Sequence, residues 1–188
     1  MVLGWGVCAL RAGRGAAAIE RLDRARELLG GKAPSALWHW ARALAAVVAG
    51  HPKDARPILE EGIERYPHSG PLRNNLAALY EHAGDPDRAE EVARLALEED
   101  PSLPQLSKNL GDLCYRAGRI EEAREAYARA VKLAPRLGDD VYFKLGNIAF
   151  KELRQQEAVE LWREAVALNP GHSLALANLS TVERLPPG

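Results

Sequence analysis

Pro67, Pro101, Pro135 and Pro170 recur at intervals of 34, 34 and 35 residues. Between successive prolines lie two runs with apolar residues at three- and four-residue spacing, the period of a helix with one buried face. A short turn separates the two runs. One such helical pair cannot bury its apolar face alone, so copies must stack on one another. The beat therefore predicts an all-α solenoid of stacked antiparallel helix pairs, and a single array over residues 1–188.

In register, the units fall at 70–103, 104–138 and 139–172, with Gly138 as a one-residue insertion. Residues 35–69 read as a looser unit whose turn is one residue short. Residues 1–34 read as a degenerate or truncated unit, and 173–185 as a capping helix or the start of another. On the first helix, Leu76, Leu110, Leu145 and Leu179 share a column. The next column is small: Ala77, Gly111, Gly146 and Ser180. On the second helix, Ala89, Ala123 and Ala158 are followed by knobs at Ala93, Tyr127 and Trp162, then by Ala96, Ala130 and Ala165. Small residues permit close helix approach, and large ones fill the space between hairpins. Gly84 and Gly118 fit the left-handed end of a first helix. The third unit has Leu153-Arg154 there, which predicts a turn made another way. In the looser unit, Trp40, Leu44 and Val47 are expected to line one face, with Gly50 at the turn and Ala55, Leu59 and Gly62 beyond it. Trp5-Gly6, Gly13, Ala18, Leu22 and Ala25 are placed in the same columns of the first unit.

Charge and motifs narrow the chemistry. With 25 basic and 26 acidic residues the formal net charge is −1. That balance lacks the basic excess of a nucleic-acid binder and offers no general attraction to membranes. No apolar run reaches the roughly 20 residues of a membrane span. Cys8 and Cys114 match no metal-ligand spacing and read as small buried apolar residues rather than a disulfide. Their reduced character and the lack of a clear signal point to the cytoplasm. His39, His51, His68, His82 and His172 fall near loops and helix ends and read as solvent-exposed. No phosphate loop, dinucleotide fingerprint, HExxH or nucleophile elbow occurs, so neither catalysis nor a cofactor is expected. Asn178-Leu179-Ser180 matches a glycosylation acceptor, but Leu179 belongs to a core column, which makes the match fortuitous.

The columns Leu110-Gly111, Ala123, Tyr127, Ala130 and Pro135 resemble the tetratricopeptide repeat family, as do Leu145-Gly146, Ala158, Trp162, Ala165 and Pro170. Leu76-Ala77, Tyr80, Ala89, Ala96 and Pro101 follow with one small substitution. The resemblance implies a right-handed superhelix whose first helices line a concave face, and a non-catalytic scaffold that binds an extended peptide there. Two positions before the small residue stand Asn75, Asn109, Lys144 and Asn178, with Arg42 assigned to the looser unit. Asparagine offers an acceptor and two donors, suited to the backbone of an extended peptide. Around this row lie Asn74, Lys108, Tyr115, Arg116, Phe143, Asn147, Phe150 and Lys151. Lys108, Arg116, Lys144 and Lys151 form a candidate basic strip, partly offset by Asp112 and Asp140, for a partner with an acidic segment. Tyr115 and Phe150 supply candidate apolar pockets. The family's carboxylate clamp for chaperone tails is incomplete, because Asp112 and Lys144 stand where it requires asparagine. Alternative readings are the regulatory or substrate-recruiting portion of a larger enzyme, for which the chain would be a fragment, or an assembly subunit that self-associates through its ends. Exposure of Trp5, Trp38 or Trp40 would favour self-association.

Overall fold

The computed structural model describes residues 8–183, and among them all regular structure is α-helical. None of these helices is long and apolar enough to cross a membrane. The chain divides into two compact bodies, one ending at Asp100 and the other beginning at Pro101.

The N-terminal body opens on helical backbone at residues 8–11. It continues through α1 (Gly15–Glu27), α2 (Ala36–Val48), α3 (Pro52–Arg65), α4 (Gly70–His82) and α5 (Pro86–Glu99). Helix α2 pairs with α3 and α4 with α5, while α1 packs on α2 and α3 on α4. The C-terminal body holds α6 (Pro104–Arg116), α7 (Ile120–Leu133), α8 (Asp139–Lys151), α9 (Gln155–Leu168) and α10 (Ser173–Glu183). Here α6 pairs with α7 and α8 with α9, with α7 against α8 and α9 against α10.

The beat prolines act through the residue before them. Tyr66, Asp100, Ala134 and Asn169 are C-caps with φ of −128°, −133°, −144° and −137°. Proline's ring disfavours the helical region for its predecessor, so each second helix ends two residues before the beat, with the pre-proline residue as its C-cap. Prolines also open α3, α4, α5 and α6 at their first turns, where a missing N–H is harmless.

Turns within hairpins share one geometry. Gly13, Gly50, Gly84 and Gly118 have φ between +69° and +85°. After each, an N–H bonds back to a carbonyl five residues earlier, as in His51 to Ala46 at 2.8 Å and Arg119 to Cys114 at 2.9 Å. The turn at Leu153 is made in the same way, not another. Its φ is +62°, and Arg154 N–H reaches Ala149 at 2.9 Å. The leucine side chain stands in solvent at 90% exposure. Nor is the Gly50 turn short. Helix α2 has 13 residues and α3 has 14, matching α4 and α5.

The core follows the small columns. Ala89, Ala96, Ala123, Ala130, Ala158 and Ala165 are fully buried. A Cβ at Gly111 would lie 2.6 Å from Tyr127, and one at Gly146 would lie 2.5 Å from Trp162. Bulk on the second helix is thus seated against the bare backbone of the first.

Several expectations need correction in the N-terminal body. Val47 is exposed, whereas Trp38 is 3% exposed and its indole N–H donates to Leu22 O at 2.7 Å. Trp40 is half-buried against the core. Trp38 therefore gives no basis for self-association, and Trp5 and Gly6 lie outside the described residues. His39 is fully buried, its Nδ1 facing Ser35 O at 3.0 Å, because Gly62 leaves room for its ring. In the C-terminal body His172 is also sheltered, at 13% side-chain exposure. Cys114 is buried as expected, but Cys8 is exposed.

Candidate functional site

In the C-terminal body, α6, α8 and α10 carry Asn109, Lys144 and Asn178 at one register position. Around Asn178 the structure forms a cavity of about 220 Å³ lined by Tyr115, Asn147, Phe150, Lys151, Trp162, Asn178, Thr181 and Val182. Its polar groups are oriented by a chain of donors. The indole N–H of Trp162 can only donate, and it donates to Asn147 Oδ1 at 3.0 Å. Asn178 Nδ2 donates to the same oxygen at 3.0 Å. Asn147 Nδ2 and Asn178 Oδ1 then have no partner among the described residues. One donor and one acceptor remain beside the cavity, the complement of a peptide group. The apolar wall is Phe150, 41% exposed, with its ring 5.5 Å from that of Trp162. Lys151 Nζ stands 5.8 Å from the Tyr115 ring centroid.

The basic strip is different from its expected form. Lys108 Nζ lies 3.0 Å from Asp112 and 2.8 Å from Asp140. Lys144 Nζ lies 2.5 Å from Asp112 and 3.7 Å from Asp140. Tyr127 OH donates to Asp112 Oδ1 at 2.7 Å. Burial alone would raise the Asp112 carboxyl, but the hydrogen bonds from Lys144, Tyr127 and Lys108 outweigh it and hold the group below the usual carboxylate range. Burial likewise pulls Lys108 down, and its bonds to Asp140 and Asp112 more than offset this, leaving it raised. Burial, then the bond to Asp112, pushes the Tyr127 phenol up. Two lysines and two aspartates thus balance one another, and Lys108 and Lys144 are not free cations.

Other candidates are committed elsewhere. Phe143 packs its ring 4.7 Å from that of His172. Asn74, Asn109 and Arg116 already interact within the protein. In the N-terminal body, Asn75 Nδ2 donates to Pro71 O of its own helix at 2.7 Å. The uninterrupted 34-residue register puts buried Ala41, not Arg42, opposite Asn75. Arg42 Nε instead bonds Asp23 at 2.8 Å. Sequence reasoning missed Trp162, Thr181 and Val182 as cavity residues. Thr181 and Val182 were legible in register, since Thr181 falls 34 residues after Asn147. Trp162 was hidden by its packing role.

Models of the tetratricopeptide repeat match residues 40–104, 82–145 and 139–172. No curated protein sequence matches the chain. Among solved structures, PilF of Pseudomonas aeruginosa superposes with a TM-score of 0.86 at 17% identity, covering 97% of this chain and 82% of that one. TTC0263, a thermophilic TPR protein of Thermus thermophilus, gives 0.71 at 17% identity, covering 98% of each chain. YrrB, a TPR protein described as having an unusual peptide-binding site, gives 0.66 at 19% identity, covering 94% of this chain and 89% of that one.

Proposed function

The chain belongs to the tetratricopeptide repeat family, and from that premise we propose that it is a non-catalytic scaffold whose C-terminal body holds an extended segment of a partner protein. The observation that carries this reading is the Asn147–Asn178 pair. Trp162 fixes its orientation, so that it offers one donor and one acceptor beside Phe150. A peptide group satisfies both, and an apolar side chain of the partner enters between Phe150 and Tyr115. At about 220 Å³ the cavity falls below the roughly 300–1,000 Å³ of small-molecule sites, which suits one side chain better than a cofactor. The peptide-binding site described for YrrB is a parallel within the same fold. Since Lys108 and Lys144 are neutralised in place, Lys151 is the cation that supports an acidic residue in the bound segment. The two unpaired cysteines support a cytoplasmic site of action.

Selection from a random-peptide display library against the full chain, followed by fluorescence anisotropy, tests this. Selected peptides should carry an apolar anchor and lose at least tenfold in affinity to Asn178→Ala/Phe150→Ala. Equal affinity for parent and variant would remove the site.

A second reading, self-association through α10, is favoured by Leu174 and Leu176, which are 60% and 44% exposed. Light scattering should then show a dimer that Leu174→Ser/Leu176→Ser dissociates. A parent that stays monomeric at high concentration rejects it.

A further inference from the structure

The linker from α1 to α2 spans residues 28–35, eight residues where the linker from α3 to α4 has four, and Gly30 and Gly31 both take positive φ in it. It forms one lip of a cavity of about 730 Å³, open to solvent, whose other walls are α1, α2 and α3. Tyr66 OH, donating to Pro34 O at 2.8 Å, ties the lip to the end of α3. Trp38 forms part of the lining, with the Arg26 guanidinium 5.1 Å over its ring.

The charges around this cavity are unequal in availability. Each of its three carboxylates already faces a cation: Asp23 with Arg42 at 2.8 Å, Glu61 with Arg26 at 3.5 Å, and Glu27 with Arg24 at 2.6 Å. Lys32 and Arg65 also line it, and neither is ion-paired among the described residues. Arg42 spends its Nε on Asp23, while its Nη1 is buried without any acceptor. A guanidinium nitrogen left without an acceptor is unfavourable, and a carboxylate is its natural complement.

We propose that this cavity is a second partner-binding site, which takes an acidic peptide segment. It goes beyond the site proposed above, since it lies in the N-terminal body and is built largely from the second helices α1 and α3. One carboxylate of the segment reaches the Arg42 side of the cavity, and its neighbours meet Lys32 and Arg65 on the two rims. Two separated free cations suit several carboxylates along a chain better than one small anion. An open, charged trough also gives little enclosure to a small molecule.

The test uses N-acetylated, C-amidated hexaglutamate with a fluorescein label, binding to the full chain at low salt by anisotropy. The parent should bind hexaglutamate and not hexaglutamine, and affinity should fall as salt rises. Lys32→Glu/Arg65→Glu, both at exposed positions, should weaken binding at least tenfold with an unchanged circular dichroism spectrum. Asn178→Ala/Phe150→Ala should leave hexaglutamate binding intact, so the two sites fail or succeed separately. Four results would overturn the proposal: no binding by the parent at millimolar protein, equal binding by the charge-reversed variant, loss of binding in the Asn178/Phe150 variant, or full displacement by succinate at equal carboxylate concentration. The last would assign the cavity to a small dicarboxylate.

Discussion

Leu153 is the one non-glycine residue with positive φ among the described residues. A left-handed leucine costs about 1–2 kcal/mol through its Cβ, and at 90% exposure its side chain recovers little by packing. Leu153→Gly relieves that strain but loosens the unfolded chain by about 0.4–1 kcal/mol. The net expectation is a gain of up to about 1.6 kcal/mol in stability, measurable as a higher midpoint in urea. Gly146 is the opposite case. Its missing Cβ is the seat of Trp162, so Gly146→Ala should destabilise by about 1–3 kcal/mol through overpacking. Asp112 brings pH dependence. Its carboxyl is depressed in the folded state, so the stability it adds is present above the unfolded value of about 3.9 and lost as pH falls through the folded value. Lys108 is raised, so its contribution is present below the unfolded value of about 10.4 and lost as pH rises past the folded one. Asp112→Asn should cost roughly 2 kcal/mol at neutral pH, because it leaves Lys144 and Lys108 sharing Asp140 as their one remaining carboxylate. It should also flatten the loss of stability as pH falls below about 4. Denaturation midpoints that track the parent across that range would show the network to be inert.

At the scale of the helix, the chain controls its elements mainly at their ends. Pre-proline C-caps terminate α3, α5, α7 and α9, while Ser35 and Asp85 cap the starts of α2 and α5 by accepting from Trp38 N and Arg88 N at 3.3 and 3.2 Å. Asp85→Ala should cost about 1 kcal/mol, and Asp85→Asn a fraction of that, by thermal denaturation. These boundaries are legible in sequence because each depends on one or two adjacent residues. The place of the turn at Leu153-Arg154 was legible as well, but its left-handed geometry was not, since glycine is the usual mark of such a residue and leucine carries none. The looser unit was misread for a related reason. Its second-helix columns Ala55 and Gly62 keep the 34-residue register, but on the first helix Trp38 stands in the column of Leu72, Leu106 and Val141, and Arg42 in that of Leu76, Leu110 and Leu145. Without the expected pattern the row position shifted from Ala41 to Arg42.

In the molecule as a whole, a stack of hairpins distributes stability among nearest neighbours. Gly146→Ala should therefore speed amide hydrogen exchange mainly in α7 to α10, the elements packed on or beside the affected hairpin. A uniform rise over every helix would instead indicate one cooperative unit. The same construction explains the function proposed here. Framework columns repeat, while the polar and aromatic residues between them vary from unit to unit and form distinct cavities in each body. The sequence by itself determined the period, the helical class, the turn positions and the small columns, because all of these follow from local conformational preference and spacing. Tertiary structure alone decided which polar residues remain available to a partner. Asp112 draws on Tyr127 and Lys144, 15 and 32 residues away, and Asn147 draws on Trp162 and Asn178, 15 and 31 away. A periodic pattern places such residues on neighbouring helices, but only the packed helices bring donor and acceptor within about 3 Å and leave the rest unpaired.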